Sequence, residues 1–207
     1  MEDDIAINEL NKNSQEPLMT DNLIEAPSLS GKKPKSRVLG ISAAIVILIL
    51  FGYVGYPQIQ LQRAMATVIK EDNRNEGIKV SVHYKNYYDS SVLIYDLKEI
   101  PGDKSMLDIF RVFLQYADKT QNKDFHTVEL SCNGTTKFLL DGSDYKVIGQ
   151  EYSFQNPMYT IRTFPEKLKT PQGDAAFESW SGGILGVLGQ QMNDFNSFMT
   201  QWIGTID

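Results

Sequence analysis

The sequence predicts an α+β domain with a mostly antiparallel sheet, held outside a membrane by a single N-terminal transmembrane helix. Three observations carry this prediction. Residues 38–56 form an uncharged apolar run of 19, preceded by Lys32, Lys33, Lys35 and Arg37. Beyond it, two pairs of strand-like segments bracket turn residues and alternate with segments of helical period. One cysteine in 207 residues leaves that outer part to be held by its core, not by a disulfide framework.

Charge divides the chain into parts. Residues 1–31 carry seven acids (Glu2, Asp3, Asp4, Glu9, Glu16, Asp21, Glu25) and one base, Lys12. Their apolar residues are scattered, so this stretch buries too little surface to offset chain entropy. Residues 1–37 are therefore expected to be a solvated acidic tail ending in a basic flank, with a short partner-docking helix near Asp21–Glu25 as the sharper reading. The formal net charge of −6 argues against a nucleic-acid partner.

The run 38–56 spans about 28 Å as a helix at 1.5 Å per residue, close to the bilayer's hydrocarbon core of about 30 Å. A buried core helix would not need four flanking bases. A cleaved signal peptide would have a shorter apolar region and a small-x-small site after it. Here Gly52-Tyr53-Val54-Gly55-Tyr56-Pro57 follows, so a permanent signal anchor is expected. Tyr53 and Tyr56 suit the far interface. The four bases put the N-terminus in the cytoplasm and residues 57–207 outside, although Arg63, Lys70 and Arg74 dilute the bias further along. With few cysteines, a bacterial inner membrane and a periplasmic domain are favoured.

Residues 57–72 read as a juxtamembrane helix or stalk, with Leu61, Met65, Val68 and Ile69 on one face and Pro57 at its start. The outer domain proper covers 73–207. Ile78–Tyr84 alternates, Ser91–Leu97 is a second strand, and Asn86–Ser90 is the turn of a hairpin. Asp103 is expected to cap a helix running to about Thr120, with Met106, Ile109, Phe110, Phe113 and Ala117 inward. Residues 125–140 form a second hairpin. A three-residue loop, Cys132–Gly134, pairs Val128 with Phe138 and Leu130 with Thr136, whereas a two-residue Asn-Gly loop mixes the faces. Asp141–Gln155 fits helix or strand. Asn156–Phe164 is expected to be extended. From Asp174 the chain is expected to turn helical, broken or restarted at Ser181-Gly182-Gly183 and ending in a stripe of Leu188, Met192, Phe195, Met199 and Trp202.

Catalytic signatures are not found: no nucleophile elbow, metalloprotease helix, paired cysteines or phosphate loop. Cys132 and His126 lie on one strand about 20 Å apart at 3.3 Å per residue, too far for a dyad. A lone outer thiol also suits an intermolecular disulfide. His83 shares a face with Ser81 and Lys85, as an exposed histidine would. Asn133-Gly134-Thr135 matches a glycosylation acceptor, yet Asn-Gly is also plain turn chemistry. Gly182, Gly183, Gly186 and Gly189 lack the lysine of a phosphate loop and are too short a run to span a membrane. They fit a helix start that allows close backbone approach.

The remaining candidates are Arg162, Trp180, Tyr159 and Phe164, where aromatic side chains beside an arginine suit a ligand pocket or an interface. An aromatic core with Arg162 on its rim explains the same residues. The expected function is a non-catalytic interaction module of a cell-envelope complex, contacting the bilayer through 38–56 and a protein partner outside, with no cofactor. A tethered small-ligand-binding domain and an immunity-type inhibitor are the alternatives.

Overall fold

The structure is a computed structural model that describes residues 52, 55–86, 89–181 and 184–204. The acidic tail, the bases Lys32, Lys33, Lys35 and Arg37, and all but Gly52, Gly55 and Tyr56 of the expected span lie outside the described residues. Among the described residues no helix is long and apolar enough to cross a membrane.

The described residues from 55 onward form an α+β domain built on one five-stranded mixed sheet. Helix α1 covers residues 55–71 and buries Leu61, Met65 and Val68, the face its spacing predicts. Asp72 ends it and caps a short 3-10 turn, Asn73–Asn75. Strands β1 (Lys79–Tyr84) and β2 (Val92–Glu99) form the expected hairpin. Helix α2 runs Met106–Thr120. Its cap is Ser105, not Asp103. Ser105 Oγ accepts the Asp108 N–H, and Asp108 accepts the Ser105 N–H in return, a reciprocal box that outcompetes a single capping carboxylate.

Helix α2 crosses back over the sheet, so β3 (Thr127–Cys132) enters beside β2 in the parallel sense, Val92 opposite Thr127. The two hairpins thus join through a parallel pair at the centre, while β1/β2, β3/β4 and β4/β5 are antiparallel. Strand β4 is Thr135–Asp141 and β5 is only Leu168–Lys169.

The second hairpin corrects the expected register. Its loop has two residues, Asn133 (φ 50°) and Gly134 (φ 80°), with Cys132 opposite Thr135 and Ser131 opposite Thr136. A bulge then leaves Lys137 without an opposite residue, and Leu130 pairs with Phe138, Val128 with Leu140. The bulge moves the pairing by one residue and returns both apolar sets to the same face. A tight turn and a clean core face are therefore compatible, which uniform pairing had made exclusive.

Val82, Tyr95, Leu97, Val128, Leu130 and Leu140 face the helices and are fully buried. Against them packs an aromatic cluster: Phe110, Phe113, Phe164, Phe195, Phe198 and Trp202, with Phe198 stacked on Trp202 at 5.4 Å and Phe110 edge-on to Phe164 at 4.9 Å. Trp202 Nε1 donates to the Ser131 carbonyl at 3.2 Å. The opposite sheet face holds buried acids matched by donors. Glu129 accepts from Lys85 and Thr136, and Asp96 accepts the Gly134 N–H and pairs with Lys98.

Candidate functional site

Two short helices shape the surface that carries the sequence candidates. Helix α3 spans Gly142–Glu151 and resolves the ambiguous stretch as helix. Helix α4 spans Pro157–Thr163, where extended chain was expected. Asn156 Oδ1 accepts the Met158 N–H, and Pro157 takes the first helical position, where its missing donor costs nothing. Alternation of Met158, Thr160 and Arg162 against Tyr159, Ile161 and Thr163 suggests a strand, and the Asn-Pro cap is the stronger signal. The last helix, α5, is Ile184–Ile203, and its Phe195, Met199 and Trp202 are buried as predicted. Residues 174–181 are not helical. There Trp180 is tied down by its indole N–H, and a two-residue bridge pairs Lys169 with Ala175.

Helix α4 is held from beneath. Ile161 and Phe164 are buried, and Phe164 packs on Phe110, Phe113 and Phe198. Arg162 Nε donates to Gln191 Oε1 and Gln191 Nε2 donates to Glu166 Oε1, both at 2.9 Å, which pins α4 to α5 through a buried amide. Trp180 Nε1 donates to Asp194 Oδ2 at 2.6 Å. Arg162, Trp180 and Phe164 therefore act as ties and core. Tyr159 alone of the four is exposed.

With α4 anchored this way, its outer turn is pushed into solvent. Among the described residues the exposed large apolar side chains fall in two groups. Tyr56 and Ile59 lie on α1, near its first described residues. Met106 and Leu107 open α2, Val147 is on α3, Met158 and Tyr159 are on α4, and Phe154, 74% exposed, lies between α3 and α4. Two clefts lie among these helices. A polar one of about 450 Å³ lies between α3 and α4, with Asp144, Glu151 and Glu166 in its wall and Lys167 paired to Asp144. An apolar one of about 260 Å³ lies between α2 and α4, lined by Leu107, Phe110, Leu114, Tyr152 and Ile161.

Arg111 rims the apolar cleft, but its charge is committed. Its guanidinium pairs with Asp108 at 2.6 Å and Asp72 at 3.6 Å and donates to Asn75 Oδ1. Hydrogen bonds from Ser105 hold Asp108 well down, to about 2. Those from Arg74 and Gln115 hold Asp72 far below the usual carboxylate range. An anionic ligand would have to displace these carboxylates.

The other chemical candidates are dispersed. His83 lies half-buried on the sheet face opposite the core, and His126 is exposed with Nδ1 on Thr127 Oγ1. Cys132 sits at the far end of β3, its thiol donating to the Ile203 carbonyl and pushed up in pKa by burial. Asn133 is exposed at its turn. Gly186 and Gly189 face open space, so they provide no close approach within the domain. The close approaches occur instead at Gly142 and Gly149, where a Cβ would meet the backbone of Phe125 and Ala117. Among the described residues no group of three or more His, Cys, Asp or Glu side chains is placed to hold a metal. The chain matches no protein-family model, no curated protein and no solved structure.

Proposed function

We propose that this protein is a non-catalytic interaction module, anchored in a membrane through residues 38–56 with its N-terminus cytoplasmic, whose outer domain docks a protein partner at the α2–α3–α4 corner. One observation carries the docking site: Leu107 lines the apolar cleft and Val147 and Tyr159 the neighbouring polar one, while Met106, Phe154 and Met158 stand exposed on the same helices and their connection. Clustered exposed apolar side chains rimmed by polar groups favour a protein contact, because leaving them in water has a hydrophobic cost of roughly 25 cal/mol per Å². A bacterial periplasm is the setting that the basic flank and the scarcity of cysteine favour.

A small-ligand site is the weaker reading. The apolar cleft, at about 260 Å³, is below the roughly 300–1,000 Å³ of ordinary ligand pockets. Its one guanidinium is already neutralised. An immunity-type inhibitor would use the same docking corner, and the partner's identity separates it from an assembly subunit.

The test is affinity purification of the full chain in mild detergent, with the wild type beside a Phe154→Ser, Met158→Ser double variant. A partner retained by the wild type and lost by the variant supports the reading. A partner held equally by both removes the corner as the docking site. A protein that stays alone in every detergent removes the assembly reading.

A further inference from the structure

The second group of exposed apolar side chains, near the first described residues of α1, lies in a different setting. An open groove of about 700 Å³ runs between α1 and the end of β1, walled by Gln58, Ile59, Gln62 and Arg63 on one side and His83 and Lys85 on the other. Tyr56 is 60% exposed and Ile59 49%. Among the described residues Arg63 makes no ion pair. Lys85 reaches across to Glu129 and keeps over half its side chain exposed.

We propose that this groove is a membrane-contact surface: the outer domain rests its α1–β1 end in the phospholipid headgroup layer, with Tyr56 and Ile59 toward the acyl boundary and Arg63 on lipid phosphate. The inference rests on the anchored reading above and adds a lipid site on the domain itself. Among the described residues helix α1 runs from 55, inside the expected span that ends at 56, and Gly52 is helical as well. At 1.5 Å per residue, Ile59 lies only about 4.5 Å beyond that end and Arg63 about 10 Å beyond it. The headgroup layer is roughly 5–8 Å thick on each side, so Ile59 falls within it and the long Arg63 side chain reaches back into it.

The sheet follows because two hydrogen bonds fix its height. Gln58 Oε1 accepts the Tyr84 N–H at 3.0 Å, and Gln62 Nε2 donates to the Val82 carbonyl at 2.7 Å. The end of β1, with His83 and Lys85, is thereby locked level with residues 58–62. An aromatic ring and a branched aliphatic beside a cation is the composition that favours an interface over either bulk phase.

The test uses the full chain in vesicles of phosphatidylcholine with about one-third phosphatidylglycerol, a fraction chosen because anionic headgroups draw basic side chains to the surface. Spin labels are placed singly at Ile47→Cys, Ile59→Cys and Leu107→Cys in a Cys132→Ser background. Collisions with oxygen, which enters the bilayer, are compared with collisions with a water-soluble nickel chelate. The expected result is a buried label at 47, an aqueous label at 107, and nickel access at 59 several-fold below that at 107. Adding Arg63→Glu should raise nickel access at 59. Equal access at 59 and 107 with 47 still buried overturns the headgroup contact and leaves the anchor standing. An aqueous label at 47 overturns both. Unchanged nickel access at 59 in the Arg63→Glu variant would overturn the role assigned to Arg63.

Discussion

Gly149 lies so close to Ala117 that a Cβ on it would stand 2.4 Å from the Ala117 carbonyl oxygen. Helices α2 and α3 thus meet backbone to backbone, and the obstacle is rigid. Gly149→Ala is expected to destabilise the domain by about 1–3 kcal/mol, the cost of forcing a methyl into a filled contact. Gly189→Ala, at an exposed position of α5 with open space around it, should instead stabilise by about 0.5–1 kcal/mol through helix propensity. Urea unfolding of a fragment spanning 55–207 gives both signs, and the same sign for both variants would refute this account of the two positions.

Tyr95 and Tyr116 are fully buried, and neither hydroxyl has a hydrogen-bond partner. Tyr145, also buried, shares a 2.8 Å bond with Thr120. Removing an unpartnered hydroxyl removes a desolvation cost, so Tyr95→Phe and Tyr116→Phe are expected to be neutral or stabilising by up to about 1 kcal/mol. Tyr145→Phe should lose about 1 kcal/mol. Thermal midpoints of the three variants order the effects.

The cluster of Asp72, Asn75, Arg111, Gln115 and Asp108 joins the end of α1 to α2. Asp108 and Asp72 both titrate lower in the fold than in the unfolded chain. Their contribution is therefore complete above about pH 4, the ordinary aspartate value. It is lost as pH falls through the folded values, which reach about 2 for Asp108. Urea midpoints should fall from pH 4 toward pH 2, and Asp108→Asn should flatten that slope. An unchanged slope in the variant would show that other groups carry the acid sensitivity.

Cys132 is 7% exposed and its thiol is held by Ile203. With its pKa raised by burial, little thiolate is present near neutrality. Labelling by an aromatic disulfide reagent at pH 8 is expected to run at least about tenfold slower in the native domain than in urea. Fast native labelling would support the intermolecular disulfide that a lone cysteine suggests.

The apolar spacing of α1, α2 and α5 is legible because each helix buries one stripe: Leu61, Met65 and Val68; Ile109, Phe110 and Phe113; Phe195, Met199 and Trp202; Met106, expected inward, is instead exposed at the first turn of α2. The first hairpin was legible from alternation. The parallel junction of β2 and β3 was not, since strand order depends on how α2 crosses the sheet. Nor was the bulge at Lys137, which no local pattern marks. Helix α4 was hidden because seven residues offer too little period to outweigh apparent alternation, and with it went the exposed Met158 and Tyr159.

Composition and local pattern alone determined the charge segregation, the apolar run 38–56, the α+β class and most core-facing residues, because these follow from hydrophobicity repeated at the period of each element. Tertiary structure decided what the candidates do. Arg162 and Trp180 became ties to α5 because Gln191 and Asp194, about thirty and fourteen residues away in sequence, are brought beneath them. Tyr159 was left outside for the same reason, since anchoring α4 through Ile161 and Phe164 turns its opposite side to solvent.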